Sequence, residues 1–240
     1  MSDTLRVVSY NIHAGRGPDG RRDIGRILAV LAEIDADVVG VQEVDTFSEP
    51  HGDQFAALTR GTGFHAVAGP AVQHAWRRYG NAVLARRPIV AGGRTDLSVP
   101  HCEPRGAVHG DIDLGGRLLR AIVTHFGLRV RERWQQVRFL KDIVDYEPDL
   151  PVLVMGDFNA WGPERLALHR MGAGFWRTAP ATFPSWLPVL ALDRLWTRPA
   201  GLLRRVWTHR SLRARRASDH LPLVAEVALD RLTGTEAPHV

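Results

Sequence analysis

The sequence predicts an α/β (α+β) fold in which two packed sheets carry helices on their outer faces. Short strand-like runs outnumber helical ones, and the helical runs are amphipathic, so each needs an apolar surface to pack against. The chain has 240 residues and 45% hydrophobic composition, which is enough for a substantial core. No repeat, low-complexity stretch or linker divides it. We therefore expect one domain over residues 1–230 and a frayed tail at 231–240.

The first elements alternate between strand and helix. The opening strand is "LRVVSYN", and Asp23 has the residue type and position of a helix N-cap. The apolar residues that follow it share one helical face: Ile24, Ile27, Leu28, Leu31 and Ile34. The run "DVVGVQEVD" predicts the next strand, and residues 55–60 predict a short helix.

The middle of the chain, from Phe64 to Thr124, predicts a meander of short strands punctuated by glycine and proline. Its strand-like runs are "YGNAVLAR", "GAVHGDIDL" and "RLLRAIVTHF". Residues 131–146 then predict a helix. Its buried stripe would comprise Trp134, Val137, Leu140 and Val144.

The C-terminal third begins with the strand "VLVMGDFN". A helix is predicted after Pro163, followed by a loop rich in tryptophan and proline from Ala179 to Pro188. The last strands are predicted at "LDRLWTR", at residues 203–209 and at "LPLVAEVAL".

The charge is basic, with 31 basic against 26 acidic residues and a formal net charge of +5. Lys141 is the only lysine, so this excess is almost all arginine, a bias that genome composition also produces. The segment from Arg194 to Arg216 holds eight arginines and no carboxylate. It is a candidate anion-facing surface, with a solvated loop and edge strand as the equal alternative.

The compartment is predicted to be the cytoplasm. Residues 1–3 lead directly into the first strand without a signal-peptide core, and no apolar run is long enough to cross a bilayer. Cys102 is the single cysteine and cannot form an internal disulfide, which fits a reducing compartment. We therefore expect a soluble protein that is not exported. No obligate protein partner is inferred.

Polar side chains lie at the ends of five strand-like runs. They are Asn11 and His13, Gln42 and Glu43, His125, Asp157 and Asn159, and Asp219 and His220. Each pair alone is typical of ordinary turn chemistry. Together they form a chemically coherent set.

Glu43 and Asp219 offer hard oxygen ligands and Asn11 an amide oxygen, which suit a cation such as Mg²⁺. One cysteine excludes a thiolate-rich zinc site. Asp157 and His220 could handle protons. Asn159 and His125 could hydrogen-bond the oxygens of a phosphoryl group. This inventory is the one that metal-assisted phosphoester hydrolysis requires.

The ordered motifs resemble the endonuclease/exonuclease/phosphatase superfamily, which includes pancreatic deoxyribonuclease, abasic-site endonucleases, neutral sphingomyelinases and inositol polyphosphate 5-phosphatases. The motifs are "SYNIH", "QE", "GNAVLARRPI", "PRGA", "THF", "GDFN", "LDRLW" and "SDHLPL", spanning residues 9–223. The resemblance implies a four-layer α/β/β/α sandwich with two packed, mostly antiparallel sheets and a site at one edge of them. It also implies Mg²⁺ as the cofactor, with Mn²⁺ as a substitute.

The resemblance also implies roles for individual residues. Glu43 would be the main metal ligand, with Asn11 and Asp219 as further ligands of the metal or its water. Asp157 would orient or deprotonate the attacking water, and Asn159 would hold that water or a phosphate oxygen.

Five further residues carry implied roles. His220, paired with Asp193, would contact the phosphate or share the proton transfer, and His125 would face the phosphate or the leaving group. Asn81 and Arg105 would join Asn11 and Asn159 at the substrate phosphate, although Arg105 is equally well interpreted as a sheet-edge charge.

Two departures from the family pattern bear on the substrate. His13 stands where the nucleases often carry an acid, which argues against a second, fully acidic metal site. No counterpart of the tyrosine with which abasic-site endonucleases grip phosphate is evident, so DNA repair is disfavoured.

The predicted function is a divalent-metal-dependent phosphoester hydrolase. A phosphodiesterase acting on nucleic acid or a phospholipid head group is favoured over a phosphomonoesterase, and an inactive nucleic-acid- or membrane-binding module is the third hypothesis. Loops would set specificity: residues 15–22, residues 74–78, and Trp161 with residues 179–188. Trp76, Trp161 and Trp186 could stack on a base or lie against lipid, although tryptophans that only cover the surface are more common.

Overall fold

The computed structural model describes residues 4–48, 52–161 and 179–232. The helix expected after Pro163 and most of the tail expected at 231–240 lie outside these ranges. Among the described residues, no helix is long and apolar enough to cross a membrane.

The described elements follow in chain order. The strands are β1 (Thr4–Asn11), β2 (Val38–Ser48), β3 (His65–Gln73), β4 (Arg77–Ala85), β5 (Ile89–Asp96), β6 (Gly106–Asp113), β7 (Leu118–His125), β8 (Val152–Asp157), β9 (Asp193–Arg198), β10 (Leu203–Thr208) and β11 (Leu223–Ala228). The helices are α1 (Ile24–Ile34), α2 (Gln54–Thr62), α3 (Val130–Asp145) and the short α4 (Ala214–Ala217), with a 3₁₀ turn at His13–Gly15.

The strands form two sheets. The first has the order β10-β11-β1-β2-β4-β3 and the second β5-β6-β7-β8-β9. Neighbouring strands are antiparallel except for β1–β2 and β7–β8, which are parallel and are joined by the crossover helices α1 and α3. The expected pair of mostly antiparallel sheets is confirmed. The predicted meander divides, because β3–β4 joins the first sheet and β5–β6–β7 the second.

Three apolar clusters give the molecule four layers. One cluster fills the space between the sheets and includes Val83, Val123 and Met155. The sheets approach so closely there that a Cβ on Gly40 of β2 would lie 2.7 Å from Val123 Cγ2. The second cluster packs α1, α2 and α4 on the outer face of the first sheet, and the third packs α3 on the second sheet.

The helices begin and end close to the predicted residues. The Asp23 side chain accepts from the Gly25 amide, which confirms the predicted N-cap of α1. The prediction that Trp134 lies in the buried stripe of α3 is wrong, because its side chain is 39% exposed. Arg133 is buried instead and donates to the carbonyls of Gly127 and Leu128, where it holds the loop that follows β7.

Candidate active site

The parallel strand pairs bring polar strand ends to one edge of the sandwich. Asn11 of β1 is in register with Gln42 of β2, and His125 of β7 is in register with Asp157 of β8. Carboxyl ends of parallel neighbours necessarily meet at the same edge. Asn11 Nδ2 donates to Glu43 Oε1 at 3.0 Å and to Asp157 Oδ2 at 3.1 Å, so the site spans both sheets.

A β-bulge in β2 turns Glu43 toward this edge. The pairing of β2 with β4 shifts register between Val41 and Val44, and Glu43 has a φ of 59°, a left-handed conformation that is strained for a non-glycine residue. The neighbouring Gln42 is buried, and its amide donates to the Gly40 carbonyl. The bulge therefore lets two consecutive residues serve different purposes, one in the interior and one at the site.

Glu43 is held as a carboxylate by its surroundings. Burial raises its pKa, but nearby His125 and hydrogen bonds from Asn11 and the Tyr79 hydroxyl outweigh burial, so the net pKa is lowered. Tyr79 was not identified from the sequence, because nothing in the pattern of β4 indicates which residue of β2 it faces. Its side chain is within hydrogen-bonding reach only because β2 and β4 pair across the bulge.

The Asn11 amide has an orientation that the sequence did not predict. Its oxygen accepts from the His13 amide at 3.0 Å, while its nitrogen faces the two carboxylates. A nitrogen that donates to two carboxylates and an oxygen that accepts from an N–H define this orientation without ambiguity. In this arrangement Asn11 orients Glu43 and Asp157 through its N–H groups.

Asp157 lies at the centre of the site. Its Oδ1 accepts from the backbone amide of Asn159 at 2.9 Å, and its Oδ2 lies 3.5 Å from His220 Nε2 and 3.6 Å from His125 Nε2. Burial raises the pKa of Asp157, but the two histidines and these hydrogen bonds lower it further than burial raises it. Asp157 is therefore an anion at neutral pH.

Asn159 is fixed by the same turn. It has a φ of 48°, and its side-chain amide donates to the Phe126 carbonyl at 2.9 Å. Asn tolerates this left-handed conformation better than most residues.

Asp193 and His220 form a buried pair. His220 Nδ1 lies 2.9 Å from Asp193 Oδ2, and the Thr182 hydroxyl donates to the same oxygen. The Ser218 hydroxyl, in turn, accepts from the His220 amide and donates to the Asn11 carbonyl. This pairing agrees with the predicted association of His220 with Asp193. The supporting contact of Thr182 was not identified, since it comes from a distant loop.

The His220 imidazole is cationic in the folded protein. Burial lowers its pKa, but Asp193 and Asp157 on its two nitrogens outweigh burial and raise the pKa from 6.5 to about 10. The stabilisation that this cation contributes is complete below the ordinary pKa and is lost as the pH rises through about 10.

We accordingly expect the His220 ring to remain protonated throughout the neutral range in the metal-free protein. An NMR titration of the ring Cε1–H shows this directly, and the His220→Gln variant assigns the resonance. An inflection near the ordinary histidine pKa would contradict the proposed double carboxylate contact.

His125 is neutral, and both of its ring nitrogens lie close to donor groups. Arg105 Nη1 lies 3.4 Å from His125 Nδ1, and Asn159 Nδ2 lies 3.2 Å from His125 Nε2. Burial lowers the pKa of His125, and the Arg105 charge adds to this effect against the opposing pull of Asp157. The Nε2 side of the His125 ring faces Asp157 and the site.

Arg105 and Asn81 lie behind the first row of site residues. Arg105 is buried and pairs with Glu103 at 2.8 Å in addition to His125, so its guanidinium is already engaged. Asn81 is buried and donates to the Gly106 carbonyl, which ties β4 to β6 across the two sheets. The side chains of Asn81 and Arg105 therefore contact other protein groups, whereas Asp157 and His220 lie at the centre of the site.

The site opens to solvent on the side of Asp219. The Asp219 side chain is 37% exposed and pairs with His13 at 3.4 Å, and the Glu43 side chain is 19% exposed. Asp219 therefore faces His13, while Glu43 faces Asn11 and Tyr79.

Two groups of side chains offer donor sets for a metal ion. Ligand atoms of Asp157, Asp193 and His220 lie within 4.8 Å of one another, but both His220 nitrogens face carboxylates and the ring is protonated. A protonated imidazole cannot bind a cation. Glu43, anionic and partly exposed, and Asp219, also partly exposed, both neighbour His13 and offer the hard oxygens that a divalent cation prefers, so they fit such an ion better.

Part of the arginine-rich segment 194–216 is engaged within the protein. Arg198 donates to the carbonyl of Leu150, Arg204 pairs with Asp230, and Arg213 pairs with Glu33. The guanidinium groups of these three arginines are therefore bound within the protein. A cavity of about 780 Å³ lies between α4 and the loop before α1, lined by Asp19, Arg26 and Arg213 among others, and none of the predicted site residues lines it.

The two packed sheets with helices on their outer faces make this chain an α/β sandwich protein. A family model described as "Endonuclease/Exonuclease/phosphatase family" matches residues 8–220, and the chain belongs to that family. The resemblance inferred from the motifs is confirmed.

Three comparisons place the chain among its relatives. The "Uncharacterized protein YbhP" of Escherichia coli K12 is 33% identical over 219 residues, covering 82% of this chain and 86% of that protein. An endonuclease/exonuclease/phosphatase from Beutenbergia cavernae is similar in structure, with a TM-score of 0.77, 25% identity and coverage of 94% of this chain and 72% of that one. TDP2 of D. rerio, solved with a single-strand DNA product, shares the fold at a TM-score of 0.70 and 17% identity, covering 94% and 99% of the two chains.

Proposed function

We propose that this protein is a divalent-metal-dependent phosphoester hydrolase that uses Mg²⁺, with Mn²⁺ as a substitute, and acts on phosphodiesters. The observation that carries the proposal is the position of Asp157 Oδ2. It lies 3.1 Å from the Asn11 amide nitrogen, 3.5 Å from His220 Nε2 and 3.6 Å from His125 Nε2, groups that come from both sheets. Membership of the family supports hydrolysis of a phosphoester.

The side chains at the site have different roles in hydrolysis. Asp157, an anion, orients the attacking water and takes its proton. His220, a cation held by Asp193, donates a hydrogen bond to an oxygen of the phosphoryl group. His125 faces the same group, with Asn159 fixed beside it. Glu43, which Asn11 orients, and Asp219 would hold the divalent ion, which would supply positive charge to stabilise the phosphoryl oxygens.

The charge of the site favours a diester substrate. A monoester phosphate carries up to two negative charges at neutral pH, whereas a diester carries one. Glu43 and Asp157 are already anionic here, and Arg105 is engaged with Glu103 and His125. The Glu43 and Asp157 carboxylates therefore repel a dianion more strongly than a monoanion. The bound DNA product of the TDP2 relative supports a diester in the same type of fold.

We expect a chelator to abolish hydrolysis. The test is a panel of phosphodiesters and phosphomonoesters, assayed with and without EDTA for the wild type and Asp157→Ala. The wild type should cleave diesters only with metal, Mg²⁺ or Mn²⁺ should restore the activity, and the variant should be inactive throughout. Turnover by the wild type that resists EDTA would contradict the metal assignment, and release of phosphate only from monoesters would contradict the substrate class.

A further inference from the structure

Loop 183–190 forms an exposed apolar rim beside the candidate active site. The loop contacts the site directly. The Phe183 ring lies 4.9 Å from the His220 ring, and the Ser185 amide donates to the Asp219 carbonyl at 2.7 Å. Trp186, Leu187 and Val189 are nevertheless 64%, 55% and 66% exposed. Large apolar side chains held in water beside a functional site indicate an interaction surface.

This loop carries no charge of its own. Residues 179–192 contain no Asp, Glu, Lys or Arg, so nothing within the loop favours its exposure to water. Its base is ordered, because Thr182 and Phe183 pair with Leu190 through backbone hydrogen bonds. The apolar tip is therefore presented by a defined structure.

Cationic side chains flank the same surface. The Ser185 hydroxyl donates to the Arg215 carbonyl, which places the segment 210–216 directly against the loop. Within the described residues, no carboxylate pairs with Arg210, Arg215 or Arg216, whose side chains are exposed. Leu212, between them, is 77% exposed. The segment 210–216 thus brings exposed arginines and an exposed leucine next to the apolar loop.

We propose that this rim, loop 183–190 with residues 210–216, docks onto an anionic membrane surface and so presents a lipid phosphoester to the site. The inference rests on the proposed function for the lipid substrate, although the docking itself does not require turnover. Exposed Trp, Leu and Val beside arginine is the composition of interfacial membrane anchors. Nucleic acid is less suited to the rim, because aliphatic Leu187 and Val189 cannot stack on bases as aromatic rings do.

The test is co-sedimentation of the full chain, without added metal, with phosphatidylcholine vesicles and with vesicles that also contain phosphatidylglycerol. We expect binding to the anionic vesicles only. The double variant Trp186→Ser, Leu187→Ser should weaken it at least about tenfold, since two buried side chains are lost. Arg215→Gln, Arg216→Gln should weaken it by about fivefold for each charge.

Matched controls lie on α3 and β5, away from the rim. Tyr146→Ser and Val90→Ser remove side chains that are 81% and 55% exposed, and Arg138→Gln removes an exposed charge; all three should bind vesicles as the wild type does. Each rim variant should keep its thermal unfolding midpoint, and Arg215→Gln, Arg216→Gln should also keep its activity on a water-soluble diester. Those measurements separate loss of docking from loss of fold or of hydrolysis.

Three outcomes would overturn the proposal. They are an absence of wild-type binding to anionic vesicles, equal binding by the rim variants, and a rim-dependent affinity for a single-stranded oligonucleotide without any for vesicles. If hydrolysis failed in every assay while the rim-dependent vesicle binding held, the proposed function would be wrong and the docking inference would stand.

Discussion

Asp157→Asn is expected to lower kcat/KM for a phosphodiester by about 10³-fold or more, the scale seen when a central catalytic group is removed. The amide preserves the shape of the side chain and the acceptor for the Asn159 amide, which lies 2.9 Å from Oδ1. It removes the negative charge that faces His220 and His125. The variant should therefore keep its fold, at some cost in stability because the new amide nitrogen faces the Asn11 amide nitrogen, and it should lose the group that orients the water.

The measurement is steady-state turnover of a soluble diester with Mg²⁺, alongside thermal unfolding followed by circular dichroism. Asp142→Asn is the matched control, because Asp142 is an exposed acid on the outer face of α3. It should leave turnover unchanged. An Asp157→Asn enzyme with near-normal turnover would remove this residue from the mechanism.

Glu43→Gln is expected to abolish metal binding and to lower kcat/KM by about 10²–10³-fold. The change keeps an oxygen that can accept from Asn11 Nδ2, which lies 3.0 Å from Oε1, but it removes the anionic ligand. Binding of Mn²⁺, followed by the loss of its free EPR signal, is the readout that does not depend on turnover. Asp157→Asn should still bind Mn²⁺, so the two variants separate holding the metal from handling the proton.

Glu226→Gln on β11 serves as the control for this second experiment, because it removes a carboxylate on the same sheet that lies opposite Arg6, toward the other end of β1 from Asn11. Its Mn²⁺ affinity should match that of the wild type. Should Glu43→Gln bind Mn²⁺ as tightly as the wild type does, the ion would have to be held by other residues, and the cluster of Asp157, Asp193 and His220 would be the next candidate.

The strands and the site edge could be predicted because their determinants are local. Apolar runs that end in polar residues identify β1, β2, β7 and β8 without any knowledge of tertiary contacts. The parallel pairing of these strands then brings Asn11, His125 and Asp157 to one edge, as the motif order implied.

The remaining features depend on contacts between residues far apart in the chain. The bulge that turns Glu43 outward arises from the register of β2 against β4, and the Tyr79 contact follows from the same register. The direction of the Asn11 amide depends on the His13 backbone, and the burial of Arg133 in place of Trp134 depends on carbonyls in the loop after β7. The periodicity of apolar residues gives no information about contacts between residues far apart in the chain.

The Asn11 amide has a wider consequence, because it bridges a carboxylate of each sheet. A shift of one sheet relative to the other by about one ångström would lengthen these hydrogen bonds beyond the range in which they form. Substitutions deep between the layers, around Gly40 and Val123, would then be felt as lost turnover before any drop in melting temperature. Selection for catalytic activity would therefore also constrain residues of the core between the two sheets, which do not contact the substrate.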